Sequence, residues 1–405
     1  MVDFNKLKQE VTDLVNLFLP NLKKNNTPTT VSESLYSSHN TRNNTYVKIY
    51  TAEEYKLFYQ PIERILKEAQ ITERYSEEYI QKELVELYHN LLLSAKNMEE
   101  KIDAVLRKIV NTATSDFFVM SELENIRVEG DGAYEILDSV ITLLKDEQLP
   151  FDVNSAIGEP VRPILGKPII FTKVKAVEFE KAKQIARHNF LTSFNLLKLY
   201  APSFKPVLKG SLLSGRRELI AYDKTTITLH SSHSLTGDLP LNQAYLNREL
   251  YEKLKSLGLE EINNLTELSR VVRESLYWYG FGLEEKHPSA KLLNFVTVLE
   301  AVLKKKSERT ELTKIISERA AILLSAEPEL RKHHRDKLKD IYNERSVVVH
   351  TGALKNDENL ANLSGAYARS ILINAISCSK EFQGNFEKFI EHLDDVKLGD
   401  APKCY

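Results

Sequence analysis

The sequence predicts a mainly α-helical protein with a C-terminal helical bundle, a helical N-terminal region and a small α+β module in the middle. Amphipathic runs with apolar residues three, four or seven positions apart dominate both ends of the chain. Segments rich in β-branched and aromatic residues are confined to its middle. The length of 405 residues fits two or three domains. We place them at 1–150, 151–240 and 241–405.

The composition is typical of a globular protein. Hydrophobic residues make up 42% of the chain and charged residues 28%, and 55 Lys and Arg nearly balance 57 Asp and Glu. No apolar run approaches the roughly 18 residues of a membrane span. Acidic and amide residues interrupt the N-terminus too often for a signal peptide. The two cysteines are too few for a disulfide framework. We therefore expect a cytoplasmic protein with no membrane partner.

The N-terminal region is predicted to be mostly helical through residue 150. An amphipathic pattern covers 5–22, and the polar stretch 25–45 has the composition of a loop or linker. Ser76 is placed to cap one long helix. The apolar positions of that helix lie on one face: Ile80, Leu84, Leu87, Leu91, Met98, Ile102, Val105 and Ile109. Core packing explains this face, and a surface for a partner helix is the alternative.

The middle module is predicted to combine one helix with several strands. Residues 168–178 are rich in β-branched and aromatic side chains and are predicted as a strand, and 179–200 are predicted as a helix. A hairpin is predicted from 207–213 and 218–222 around a Ser-Gly turn, with an extension at 225–229. This pattern indicates a β-α-β-β arrangement that is at least partly antiparallel.

Several short motifs resemble known cofactor or metal sites but lack residues that those sites require. Glu129-Gly-Asp-Gly132 lacks the third glycine of a dinucleotide site and the Lys-Ser/Thr of a phosphate loop, so it predicts a turn. His230 and His233 have no Cys or acidic ligand pair beside them. His333 and His334 are adjacent, cannot share a helical face and are expected in solvent. We predict no cofactor and no metal site; a metal-dependent nuclease in the middle module stays an alternative, because carboxylates are common and loosely spaced.

The C-terminal bundle is predicted from three apolar stripes, within 292–303, 312–323 and 338–349, and from a last helix at 359–393. Its third stripe contains an odd residue. Arg345 falls seven positions after Leu338, where a guanidinium needs a carboxylate, a phosphate or water. Residues 291–350 carry 13 basic and nine acidic side chains, a surplus that permits phosphate binding without requiring it.

His350 lies in the predicted last turn of the same helix, because Thr351-Gly352 is a helix-stop signal. A helix C-terminus favours the protonated imidazole, which suits an acid that protonates a leaving group. Five residues separate His350 from Arg345, a rotation of about 140° on an ideal helix. The two side chains therefore do not share a face.

The segment from Arg345 to His350, Arg-Ser-Val-Val-Val-His, matches the Arg-x4–6-His motif of HEPN domains. The flanks resemble the Apea-like branch, in which the motif follows a helix of Leu-Glu-Ala-Leu-Leu type, here Leu299-Glu300-Ala-Val-Leu303. The resemblance covers about residues 270–395. It implies a dimerising helical bundle that cleaves RNA without a metal, often in phage defence (abortive infection) or toxin systems. Other family members are non-catalytic.

The chemistry of metal-free RNA cleavage suits these residue types. The 2′-OH attacks the neighbouring phosphate to give a 2′,3′-cyclic phosphate, and the reaction needs a proton shuttle and a positive charge on the phosphorane. His350 is predicted to supply the shuttle and Arg345 the charge, with bidentate geometry. Glu300 is placed to orient Arg345, and Ser346 and Asn343 are predicted to support the motif.

An RNA substrate and a homodimer are the predicted partners. A two-fold axis along the Arg345–His350 helix would bring two arginines and two histidines to one groove. The alternative from another functional class is a non-catalytic dimerisation module. In that interpretation Arg345 and Glu300 form a buried structural ion pair between two helices, and His350 only caps its helix.

Overall fold

Helices dominate the structure and the strands lie in the middle of the chain, so the mainly α fold class is confirmed. The computed structural model describes residues 3–22, 34–36, 50–51, 59–68, 74–93, 96–130, 132–149, 151–152, 154–155, 161–201, 207–208, 219–222, 227–230, 244–256, 258–351 and 357–398.

The chain forms two compact units, and each combines segments that are distant in sequence. The first contains Met1–Val119, Lys173–Ala186 and Ala221–Thr228. The second contains Met120–Thr172, Arg187–Ile220 and Leu229–Tyr405. The division into domains at 1–150, 151–240 and 241–405 stays a prediction.

The first unit contains helices that share one apolar core. They are α1 (Phe4–Leu22), α2 (Gln60–Glu68), α3 (Glu77–Leu93) and α4 (Met98–Asn111). Each contributes buried side chains to this core, among them Val11, Ile62, Leu84, Leu87, Leu91, Ile102 and Ile109. Ser76 caps α3 as predicted, since its Oγ accepts a hydrogen bond from the Tyr79 N–H at 3.2 Å. Core packing is therefore the confirmed role of the predicted apolar face.

The prediction of one long helix after Ser76 is wrong. The segment forms two helices, α3 and α4, which pack against each other. They are separated at Asn97, whose φ of 56° lies in the left-handed region that Asn tolerates better than most residues. Leu91 and Met98 are seven residues apart, so the apolar period continues across the break. Periodicity alone therefore concealed the turn.

The helical interpretation of the N-terminal region is wrong beyond Asn111, because the described residues from Ser115 to Leu143 form four strands, after the two short strands at Ser34–Tyr36 and Tyr50–Thr51. The strands are β1 (Ser34–Tyr36), β2 (Tyr50–Thr51), β3 (Ser115–Glu124), β4 (Ile126–Val128), β5 (Tyr134–Ile136), β6 (Ser139–Leu143), β7 (Pro168–Ala176), β8 (Val207–Leu208), β9 (Leu219–Tyr222), β10 (Ile227–His230) and β11 (Ala244–Leu246). Seven consecutive residues of β3, from Phe117 to Leu123, are buried. A strand buried on both faces has no alternating pattern to distinguish it from a buried helix.

The largest sheet has the strand order β10-β9-β3-β7-β6-β5, with β8 also paired to β3. β6 is antiparallel to both β5 and β7, and β11 pairs in parallel with β4. The predicted strand at 168–178 and helix at 179–200 are confirmed as β7 and α5 (Phe179–Tyr200).

The predicted hairpin between 207–213 and 218–222 is wrong. β8 pairs antiparallel with β3, with Leu208 opposite Leu123, and β9 lies between β10 and β3. The Ser-Gly turn lies outside the described residues. A turn signal favours pairing between neighbours in sequence, and it carries no information about a distant strand such as β3.

The C-terminal bundle belongs to the second unit. Its helices are α6 (Arg248–Ser256), α7 (Leu259–Asn263), α8 (Glu267–Glu284), α9 (Pro288–Leu303), α10 (Leu312–Leu324), α11 (Pro328–Thr351), α12 (Glu358–Cys378) and α13 (Phe386–Leu398). α9 packs between α8 and α12, and α11 packs on α10. The first predicted stripe is buried throughout: Leu292, Phe295, Val296, Leu299, Val302 and Leu303.

The predicted single helix at 359–393 is wrong, because the segment divides into α12 and α13. Gly384 has a φ of +70° in the connection, a conformation that favours glycine. Its carbonyl accepts a hydrogen bond from the Leu268 N–H at 2.8 Å, which joins the connection to the start of α8. Thr266 caps the same end of α8 by accepting from the Ser269 N–H at 3.2 Å.

A buried arginine joins several helices of the bundle. The Arg319 side chain is only 5% exposed, and each of its guanidinium nitrogens donates at least one hydrogen bond. It donates two hydrogen bonds of 2.8 and 2.7 Å to Glu308, two of 2.8 Å to Asp394 and one of 2.8 Å to the Leu303 carbonyl. Burial alone would lower the pKa of Arg319, but the carboxylates of Asp394 and Glu308 raise it above its ordinary value. The guanidinium therefore stays charged inside the bundle.

Replacing Arg319 tests this role. Arg319→Ala should lower the free energy of unfolding by about 3 kcal/mol, because it leaves the Leu303 carbonyl and the largely buried Glu308 carboxylate without their donor. Urea unfolding followed by circular dichroism measures the change. Lys314→Ala is the matched control, since Lys314 lies on the same helix in an exposed pair with Glu311, and it should change stability by about 0.5 kcal/mol or less. Equal effects of the two variants would contradict the assigned role.

Candidate functional site

α11 carries both predicted catalytic residues. It runs without interruption from Pro328 to Thr351, so His350 lies in its last turn as predicted; Gly352 lies outside the described residues. The helix is anchored by buried Leu338, Ile341, Tyr342 and Val348. Because the helix is regular through this region, Arg345 and His350 diverge by about 140° around its axis.

Arg345 lies beside Glu300 of α9. The distance between Arg345 Nη2 and Glu300 Oε1 is 3.4 Å, and the two side chains are 35% and 22% exposed. The pair therefore joins α9 to α11 at a solvent-accessible position. The position of Arg345 on the third apolar stripe suggested a buried pair. The pair is partly exposed instead, because this stripe reaches the bundle surface near the end of α11.

Tyr342 lies near this ion pair. Burial and the charge of Glu300 raise the pKa of the Tyr342 hydroxyl well above its ordinary value, against the opposing charge of Arg345. The hydroxyl has no hydrogen-bond partner in the part of the chain that the structure describes. The sequence pattern marked Tyr342 only as an apolar core position, and its link to the ion pair became visible through the packing of α9 against α11.

Arg345 and Arg319 contrast sharply although both lie on predicted apolar stripes. Arg319 donates five hydrogen bonds and is almost fully buried. Among the described residues, Arg345 has one ion contact of 3.4 Å and no hydrogen bond within normal limits. A guanidinium has five N–H donors. Within the described part of the chain, most donors of Arg345 therefore have no acceptor, whereas those of Arg319 are used by the fold.

The other predicted residues lie around α11 at different depths. His350 and Asn343 are exposed and Ser346 is half-buried. Val349, predicted on the buried stripe, is 50% exposed, and Val347 is 37% exposed. The end of α11 thus presents His350 beside apolar side chains that the bundle does not cover.

The histidine pairs and the Glu129-Gly-Asp-Gly132 motif have structural roles as far as the structure describes them. His334 is half-buried, with Nδ1 3.1 Å from the Tyr367 hydroxyl, so its expected position in solvent is wrong. Burial and the neighbouring His333 lower the pKa of His334. Gly130 has a φ of 82°, in agreement with the predicted turn, although Asp131 lies outside the described residues. His230 ends β10, and His233 is also outside them.

The described residues contain neither a cluster of metal-ligating side chains nor a membrane-spanning helix. No group of three or more His, Cys, Asp or Glu side chains is placed to hold a metal ion in the described ranges. Within the same ranges, no helix combines the length and apolar character needed to span a membrane.

No family model, curated protein or solved structure matched this chain. The likeness to Apea-like HEPN domains therefore rests on the residues quoted above. The geometry of Arg345, Glu300 and His350 is independent of that likeness.

The exposure of the Glu300–Arg345 pair predicts a small stability effect. Glu300→Ala should lower the free energy of unfolding by about 1 kcal/mol or less, because solvent screens a partly exposed pair. Thermal and urea unfolding measure this change. Glu358→Ala provides the control, since Glu358 forms a 2.9 Å pair with Lys291 in the same bundle. A loss of about 3 kcal/mol or more for Glu300→Ala would mean that the pair behaves as a buried one.

Proposed function

We propose that this chain is a metal-independent endoribonuclease of HEPN type, acting as a homodimer in a cytoplasmic phage-defence or toxin-like system. One observation carries the proposal: among the described residues, Arg345 has one carboxylate contact, at 3.4 Å and at a partly exposed position, and its other donors have no acceptor there. An arginine that served only the fold would be expected to resemble Arg319. His350 lies exposed at the end of the same helix.

The reaction is a transesterification of the RNA backbone. The 2′-oxygen forms a bond to phosphorus, the bond from phosphorus to the 5′-oxygen breaks, and the products carry a 2′,3′-cyclic phosphate and a free 5′-OH. One proton leaves the 2′-OH and another must reach the 5′-oxygen. Arg345 stabilises the negative charge of the phosphorane, and His350 transfers a proton. Glu300 positions the guanidinium.

A dimer supports this chemistry better than one subunit. Arg345 and His350 point about 140° apart on one helix, so a single α11 does not focus both on one phosphate. A two-fold axis beside α11 would place Arg345 of one copy near His350 of the other. The exposed Val347 and Val349 supply apolar surface for such contact. We expect an interface of more than about 1,000 Å² that includes α11.

The alternative function is a non-catalytic dimerisation module, and the Glu300–Arg345 contact also favours it. That contact joins α9 and α11 whether or not RNA is bound. The ribonuclease cleaves RNA and the dimerisation module does not. An RNA-cleavage assay with and without EDTA distinguishes both from a metal-dependent nuclease.

Incubation of the full chain with total RNA, with and without EDTA, should give cleavage that EDTA does not inhibit. End-group analysis should find 2′,3′-cyclic phosphate and 5′-OH termini. His350→Ala and Arg345→Met should each lower the cleavage rate by at least about 100-fold. Their melting temperatures should change little, because both positions are partly or fully exposed.

The controls are His333→Ala and Lys337→Met, which remove exposed side chains from other positions on α11. Both should keep wild-type cleavage. No cleavage under any condition would favour the non-catalytic module, and cleavage abolished by EDTA would favour the metal-dependent nuclease. Full activity of Arg345→Met would contradict the role assigned to the guanidinium.

Mixing two inactive variants tests the shared site. Arg345→Ala and His350→Ala proteins, mixed under conditions that exchange subunits, should recover part of the wild-type rate because a mixed dimer contains one intact site. Sedimentation velocity should show a dimer at the concentrations that cleave RNA. A monomer whose specific activity is independent of dilution would rule out the dimeric site.

A further inference from the structure

One face of α11 forms a polar stripe that ends at His350. Its residues are three or four positions apart, so they lie within an arc of about 80° around the helix axis. They are Lys332, Arg335, Lys339, Asn343, Ser346 and His350. None of the six is buried. We call this set the α11 stripe. The sequence pattern of this helix predicted only its apolar side.

The α11 stripe carries positive charge and no carboxylate. Lys332 and Lys339 make no ion pair within the described part of the chain. Among the described residues, Arg335 forms an ion pair only with its neighbour Asp336, at 3.0 Å, and both side chains are solvent-accessible. Such a pair contributes little and exchanges readily for another anion. Two carboxylates border the stripe: Asp336 and Asp340 lie about 40° and 80° from Lys332 around the helix axis.

The α11 stripe is long enough to contact several phosphates, and it ends at His350 of the candidate site. Lys332 and His350 are 18 residues apart, which corresponds to about 27 Å along an α-helix. Asn343 and Ser346 continue the stripe between Lys339 and His350 with neutral hydrogen-bonding groups. A ligand that follows this face needs repeated negative charges and hydrogen-bond acceptors, which are the properties of a nucleic-acid backbone.

We infer that the α11 stripe binds the sugar-phosphate backbone of single-stranded RNA and directs it to His350. This inference rests on the proposed ribonuclease function and identifies its substrate class. Attack by the 2′-oxygen requires that oxygen to lie in line with the departing 5′-oxygen, an arrangement that regular A-form duplex geometry does not provide. A single strand can adopt it, and its phosphates can follow one helix face.

Binding of an uncleavable probe tests the stripe separately from catalysis. The probe is a fluorescent 2′-O-methyl RNA oligonucleotide, which has no free 2′-OH, and the readout is fluorescence anisotropy of the full-chain protein across a salt series. Each phosphate contact on a single strand contributes about −0.7 to the slope of log K against log salt. Loss of two contacts in Lys332→Ala/Lys339→Ala should therefore reduce that slope by about 1.4 and weaken binding about 25-fold at 0.1 M salt.

The matched control is Lys314→Ala/Lys337→Ala, which removes two exposed lysines of the same bundle outside the stripe. Its affinity should stay within about threefold of wild type, because it lowers the net charge equally but makes no stripe contact. Lys332→Arg/Lys339→Arg keeps both charges and should bind as wild type does. Unfolding curves of all three variants should overlap that of the wild type.

The outcomes separate this inference from the proposed function. Equal loss of affinity in the stripe and control variants, or no binding by the wild type, would contradict RNA binding by the α11 stripe. The end-group assay would still decide whether the protein cleaves RNA. Tighter binding of a 2′-O-methyl duplex than of the single strand would overturn the substrate class. Loss confined to the stripe variant, without cleavage by the wild type, would support the binding face and count against the ribonuclease.

Discussion

The pairing requirement of Arg319 is the constraint on which the C-terminal bundle depends. A charged guanidinium inside a protein must find acceptors for its donors, because burying it unpaired is too costly. Glu308, Asp394 and the Leu303 carbonyl meet that requirement together. The end of α9, the connection to α10 and the middle of α13 are therefore held in one arrangement around a single side chain.

This constraint also positions the candidate site. Leu303 and Glu300 are one turn apart on α9, so the contact that fixes the end of α9 also fixes the carboxylate that faces Arg345. α11 packs on α10, the helix that carries Arg319. The packing of α9 against α11 in turn holds Arg345 beside Glu300.

Two arginines on similar apolar stripes have different surroundings, and this difference connects the fold to the proposed chemistry. Arg319 has its donors saturated by the protein, whereas Arg345 is accessible and has one ion contact among the described residues. In the proposed reaction the phosphate replaces the missing partners of Arg345. The α11 stripe adds two further cations with no ion pair among the described residues, Lys332, which is exposed, and Lys339, which is half-buried.

The sequence by itself determined the elements whose patterns are local. The apolar period of 3.6 predicted the buried faces of α3, α4 and α9, and Ser76 and the residues around Thr351 marked helix ends. The segments at 168–178 and 179–200 were also predictable, because β-branched residues and then a helical period occur within each segment. Arg345, Glu300 and His350 were identifiable for the same reason.

Only the tertiary structure decided where distant segments meet. The breaks at Asn97 and Gly384 interrupt helices without interrupting the apolar period, β3 is buried on both faces, and β8 chooses a partner far away in sequence. The contrasting environments of Arg319 and Arg345 were equally invisible, because both occupy stripe positions. The burial and ion pairing of each arginine depend on the carboxylates that other parts of the chain place beside it, and a local sequence pattern does not show which parts those are.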